Sequence, residues 1–283
     1  DSSSYTPLYN VLAVAVSSDD QHVYAGGKYG YVVRFDRNSN GTLINRDDRC
    51  QELFLDSESY VYVRDIEDSP EGTAGLPLYV LFENWYDYIL AVFTWDATNG
   101  LTLEHAFVTL AESEYDDSAY TGLVTQVSGT IGARTIAIPT DGEHLYVAAG
   151  TSDASTVAIF DRNTVDGSLT FLESIETAGP NAYGQSISIA PDDTTVYIAA
   201  EDEPESAIYR RDSTTGLLSR VTTIPTRSRD WYSGSGGSQI YGIALWSHSA
   251  YLLSRRVADG FHAPAQAAAI GIRTHPRPRP IGH

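Results

Sequence analysis

One short apolar run recurs five times along this chain, each time centred on a tyrosine: Tyr24, Tyr79, Tyr146, Tyr197 and Tyr251. Successive tyrosines stand 51 to 67 residues apart. A period of that length marks an array of supersecondary units, each burying its apolar faces against the next. It constrains the fold more tightly than any single segment does. The unit is clearest around Tyr146. It predicts strands over Arg134–Ile138, His144–Ala149, Thr156–Phe160 and Ser168–Glu173, with turns at Asp141-Gly142 and Asp166-Gly167.

In the third of these strands, Val157 and Ile159 face one way and Ala158 and Phe160 the other. Side chains alternate across a strand, so both faces are apolar and both need cover. Sheets stacked face to face around an axis supply it. Small residues close the second strands (Ala25, Gly26, Gly27; Ala148, Ala149, Gly150; Ala199, Ala200), as close packing near a narrow axis requires. The expectation is an all-β fold, a β-propeller of four-stranded antiparallel blades. About five blades are readable, over residues 9–56, 57–112, 123–178, 183–226 and, in part, 238–256. The propeller spans 1–256. The Ala/Pro/Arg-rich segment 257–283 reads as a non-blade tail.

The pattern of a Pro-Asp or Asp-Asp turn, Tyr-Val/Ile-Ala, a short loop, Val-x-Phe-Asp-Arg and a glycine turn resembles the YVTN/lactonase-like β-propeller repeat family. Residues 23–43, 145–169 and 196–217 carry it best, and 77–103 carry it more loosely. The resemblance implies a 6-phosphogluconolactonase-like fold. The chain is either a five-bladed ring or a shortened form of a seven-bladed type. It also implies a place to look for chemistry. Enzymes of this family set an Arg-His pair at the start of a blade's inner strand and a Glu just after its second strand. Blade three keeps Arg134 but has Thr135 for histidine and Gly150 near the Glu position; blade four keeps only Glu201. Arg134 and Glu201 are therefore the candidate catalytic pair.

Composition narrows the partners. The formal net charge is −19, from 18 Lys and Arg against 37 Asp and Glu. Such a surface repels phosphate backbones, so nucleic acid is not expected as a partner. No apolar run reaches the roughly 20 residues that span a bilayer. The lone cysteine, Cys50, excludes an internal disulfide. No His-x-His or His-x-x-x-His pair occurs, so no transition-metal site is expected. Asp19, Asp20, Asp141, Asp192 and Asp193 offer oxygens to calcium, the one cofactor considered, but all lie in hairpin turns where aspartate is favoured locally. Loop aromatics suit binding of sugar or protein: Trp85, Tyr86 and Tyr88 in blade two, and Trp231 and Tyr232 after blade four. The start at Asp1 and the absence of methionine fit a secreted protein, extracellular or periplasmic, whose signal has been removed.

Three functions follow from this reading. The incomplete catalytic set favours a non-catalytic extracellular propeller that binds a protein partner or copies of itself. The alternatives are a lactonase-like hydrolase acting on a small lactone, and a carbohydrate-binding propeller.

Overall fold

The structure, a computed structural model, describes residues 8, 10–47, 61–72, 75–84, 87–96, 98, 100–110, 123–151, 154–178, 186–199, 205–225, 238–246, 249–258, 261–262 and 266–271. Every regular element in them is a strand. The sheet around Tyr146 contains β10 (Ala133–Ala137), β11 (His144–Gly150), β12 (Ser155–Arg162) and β13 (Leu169–Ala178), hydrogen-bonded in that order. All its neighbours are antiparallel. The strands match the sequence expectation because β-branched and aromatic residues fill them and glycine turns bound them.

Three further sheets repeat this order. The first has β1 (Val11–Val16), β2 (His22–Gly27), β3 (Val32–Arg37) and β4 (Leu43–Asp47). The second has β5 (Tyr62–Asp68), β6 (Leu78–Glu83), β7 (Asp87–Asp96) and β8 (Gly100–Leu110). The fourth has β14 (Ser186–Ile189), β15 (Thr195–Ala199), β16 (Glu205–Arg211) and β17 (Leu218–Pro225). In the fifth, β18 (Ser238–Trp246) pairs with β19 (Ser249–Ala258), which also pairs with β20 (Phe261–His262) and β21 (Gln266–Gly271). Each tyrosine of the repeat lies on the second strand of its sheet. The second sheet departs from four strands: β9 (Val124–Gln126) adds a fifth, running parallel to β8.

Packing between sheets follows the alternation in β12. Ala158 and Phe160 join a core with Leu81, Leu90 and Phe107 of the second blade. Val157 and Ile159 join another with Ile187, Val196 and Ile198 of the fourth. All four β12 residues are fully buried. Burying each larger side chain contributes about 1.5–3 kcal/mol. The Phe107 and Phe160 rings meet edge to face at 5.0 Å. The small residues closing the second strands let blades approach. A Cβ on Gly26 would lie 2.4 Å from Val63 Cγ1 of the next blade. First strands meet one another in turn, β1 with β5, β5 with β10, and β10 with β14, which places them innermost.

Two latches on the far side of the sheets fasten consecutive blades. Tyr79 donates its hydroxyl to the Gly167 carbonyl at 2.6 Å and accepts from Arg162 Nε at 2.6 Å; Arg162 Nη2 reaches Glu71 at 2.8 Å. The fourth blade repeats this on the third. Tyr146 donates to the Gly216 carbonyl at 2.7 Å and accepts from Arg211 Nε at 2.9 Å, while Asp141 takes both Arg211 terminal nitrogens at 2.7 and 3.0 Å. Both guanidiniums are fully buried. Each sits where burial without a carboxylate would be costly, and each has one.

Candidate functional site

The first strand of each of three blades starts with a β-bulge. Register slips between Val11 and Ala13, between Val63 and Asp65, and between Ala133 and Thr135. The extra residue is Leu12, Arg64 or Arg134. A bulge frees one residue from the ladder and re-aims its side chain. In blades two and three that side chain is a guanidinium, and both converge on one carboxylate. Glu83 closes β6, and its Oε2 accepts from Arg134 Nη1 at 2.8 Å and from Arg64 Nε. The three side chains are 16 to 34% exposed, open to a ligand yet shielded enough for charge to matter.

Aromatic rings frame this group. The Arg64 guanidinium lies over the Tyr62 ring at 4.9 Å, and Lys28 Nζ lies 6.0 Å from the same ring. Lys28 bridges to Tyr62, as Glu83 pairs with it from the other side. Tyr88 pairs across from Glu83; burial and the Glu83 charge raise its pKa, so it is a phenol at neutral pH. Two guanidiniums thus meet on one carboxylate, with Lys28 at the Tyr62 ring, in a protein of net charge −19. Such a locally positive spot suits an anionic ligand.

The residue after each of the two arginine bulges is used for scaffolding. Asp65 Oδ2 accepts from the Ile136 amide of blade three at 2.7 Å, and Oδ1 accepts from its neighbour Ile66 at 3.0 Å. Thr135 Oγ1 accepts from the Ile187 amide of blade four at 3.1 Å. These two residues occupy the position where the family resemblance implied histidine, and both tie one inner strand to the next. Gly150 holds the place of Glu83 in blade three, where its amide donates to Gly132 at 3.2 Å.

Of the residues singled out in the sequence, Arg134 is in this cluster and Tyr88 borders it. Glu201, Trp85, Tyr86, Trp231 and Tyr232 lie outside the described residues. Arg64 and Glu83 are not among the residues singled out in the sequence, where the Asn84–Tyr88 stretch reads only as an aromatic loop. The signal was present: Arg64 opens an inner strand and Glu83 ends the second strand of the same blade. Among the described residues, no group of three His, Cys, Asp or Glu is arranged to hold a metal. The turn aspartates bond within the protein instead. Asp141 accepts from the Glu143 amide and Asp192 from the Thr194 amide, at 3.1 and 2.9 Å.

The profile of the family described as "Lactonase, 7-bladed beta-propeller" matches residues 78–229, more than half of the chain. The chain belongs to that lactonase propeller family. Solved structures share the fold at low identity. A Bacteroides uniformis protein provisionally named a 6-phosphogluconolactonase is 20% identical, with a TM-score of 0.53 over 76% of this chain and 55% of its own. The chain therefore spans about half the length of that relative. The periplasmic gluconolactonase of Pseudomonas aeruginosa is 14% identical, with a TM-score of 0.57 over 92% of this chain and 70% of its own. A Lactobacillus plantarum protein is 16% identical, with a TM-score of 0.52 over 90% of this chain and 70% of its own. No curated protein matches by sequence.

Membership in a lactonase family overturns the expectation of a non-catalytic scaffold for protein binding or self-assembly. That expectation rested on an incomplete catalytic set in blades three and four. The physical reason it misled is that the carboxylate beside Arg134 comes from blade two, across the junction between sheets.

Proposed function

We propose that this protein is a lactonase-type hydrolase and that Arg64, Glu83 and Arg134 form its reaction centre. The observation that carries this is the convergence of two bulge arginines from adjacent blades on Glu83. An anionic lactone would compete with Glu83 for the guanidiniums and free its carboxylate to act as base. Glu83 then takes a proton from water as the oxygen attacks the lactone carbonyl. A guanidinium stabilises the oxyanion of the tetrahedral intermediate. The carbonyl–oxygen ring bond breaks, the proton passes to the leaving alkoxide, and the product is a hydroxy acid. The neighbours' names, gluconolactonase and 6-phosphogluconolactonase, support a sugar-acid lactone as substrate.

Acid release from gluconolactone and 6-phosphogluconolactone, followed in a pH-stat above the spontaneous rate, tests the reading. Turnover is expected, with Glu83→Gln lowering kcat by about 10²-fold or more. Unchanged turnover in that variant, or no turnover by the wild type, would remove the mechanism.

A further inference from the structure

The latch that joins blade three to two, and four to three, is missing between blades two and one. The latch arginines Arg162 and Arg211 lie three residues past Ile159 and Ile208, the cross-strand partners of the repeat tyrosines of their own sheets, Tyr146 and Tyr197. In blade two that register position is Trp95. Trp95 turns onto Arg34 of the first blade, whose Cζ lies 3.4 Å from the ring centroid. The guanidinium of Arg34 is held by Asp36 at 3.0 Å.

The substitution leaves Tyr24 without a latch. Tyr24 is the counterpart of Tyr79 and Tyr146 and is only 6% exposed. Its two counterparts each receive a guanidinium N–H and each donate to a glycine carbonyl. Among the described residues, the Tyr24 hydroxyl has no hydrogen-bond partner. It opens instead on a cavity of about 100 Å³, lined also by Asp19, Asp68, Arg34 and Trp95. That volume is worth about three liquid waters, enough for one guanidinium head group. Asp19 stands five residues before Tyr24, as Asp141 stands five before Tyr146, and Asp141 is the carboxylate that grips Arg211. Asp68 also lines it, with Oδ2 already accepting from the Ser18 amide and hydroxyl at 2.8 and 2.9 Å. The Arg34 guanidinium is committed to Asp36, to the His22 ring at 3.1 and 3.2 Å and to the Trp95 face, and Asp19 holds Ser17 and Gln21 on Oδ1 alone, which leaves Asp19 Oδ2 and the Tyr24 hydroxyl to receive a guanidinium.

We propose that this cavity binds the guanidinium group of a small ligand, which docks on Asp19 and the Tyr24 hydroxyl as Arg211 docks on Asp141 and Tyr146. The planar fork of donors suits a carboxylate as a compact ammonium does not. The site is at the end of the sheets opposite Glu83 and does not depend on any reaction there.

Calorimetric titration with methylguanidinium, using urea as a neutral probe of the same shape, tests it. Methylguanidinium should bind and urea should not. Trp95→Arg, which puts a guanidinium back on the chain, should abolish binding. Tyr24→Phe keeps the ring and should weaken binding about fivefold, as loss of one hydrogen bond does. If Trp95→Arg fails to fold, Tyr24→Phe decides alone. The proposal is overturned by no saturable binding up to about 10 mM, by equal binding of urea, or by binding that Tyr24→Phe leaves unchanged.

Discussion

Arg211 of the fourth blade donates its Nε–H to the Tyr146 hydroxyl of the third at 2.9 Å. The contact crosses a blade junction, and Asp141 completes it with two charge-assisted bonds. Replacing Arg211 by Met should lower unfolding free energy by about 3 kcal/mol, because the phenol and carboxylate lose their partner together. Urea denaturation measures it. Asp141 is part-exposed, which keeps the cost at the low end.

The same latch has an acid dependence. Burial raises the Asp141 pKa, but hydrogen bonds from Arg211 and Glu143 and the Arg211 charge outweigh it and leave the pKa below 3.8. A depressed folded pKa contributes stability that is present above the unfolded value and lost as pH falls through the folded one. Asp141→Asn should therefore flatten the stability profile below pH 3.8, while costing stability at neutral pH. Thermal melts across that range test the difference between the two profiles.

The inner strand of blade two should respond in the opposite sense. Burial pushes Asp65 up to about 6, against the pull of its two amide donors, and pushes Glu67 up to about 8, with Asp65 and Asp68 adding repulsion. A raised carboxyl pKa means the folded state holds a proton that the unfolded state has released. Stability then falls as pH climbs from about 4.5 to 8 through Glu67, with Asp65 contributing up to about 6. Glu67→Gln should raise stability at pH 9 by about 1–3 kcal/mol and change little at pH 4. A gain equal at both values would contradict the charge origin.

Gly132 has φ of +76°, and a Cβ there would lie 2.0 Å from the Gly150 carbonyl oxygen. The obstacle is backbone, so it cannot rotate away. Gly132→Ala should destabilise by about 3 kcal/mol and, being two residues before Arg134, should depress lactone turnover more than Gly41→Ala. Gly41 also has a positive φ, +83°, but open space around it.

Arg64 and Arg134 should each matter to turnover. Arg64→Gln or Arg134→Gln is expected to lower kcat/KM by about 10²-fold, the loss typical of one oxyanion donor. Steady-state kinetics with an anionic and a neutral lactone separate the roles. If the guanidiniums bind the substrate's anionic group, the neutral lactone suffers less.

The propeller was legible because its signal is periodic: alternation within strands and the tyrosine spacing are properties of the chain alone. The strands of blade three are placed within a few residues by Gly142, Gly167 and the two-faced run 157–160. The site was half legible. Arg134 is recognisable from its place at the start of an inner strand, but its carboxylate partner is 51 residues away, on another sheet. Which Glu meets which Arg depends on how blades rotate against one another, and no local pattern encodes that. The parallel strand β9 was equally hidden, since three residues, Val124 to Gln126, make no periodic signal.

That short strand changes how one rim behaves. The outermost strands of blades one, three and four, β4, β13 and β17, pair with no further strand among the described residues, and a sheet edge of that kind can template a foreign strand. On blade two, Ala106 to Val108 is already matched by Val124 to Gln126. A stranger seeking to extend that sheet would first have to evict three residues of the protein's own chain, which shields this edge from templated growth.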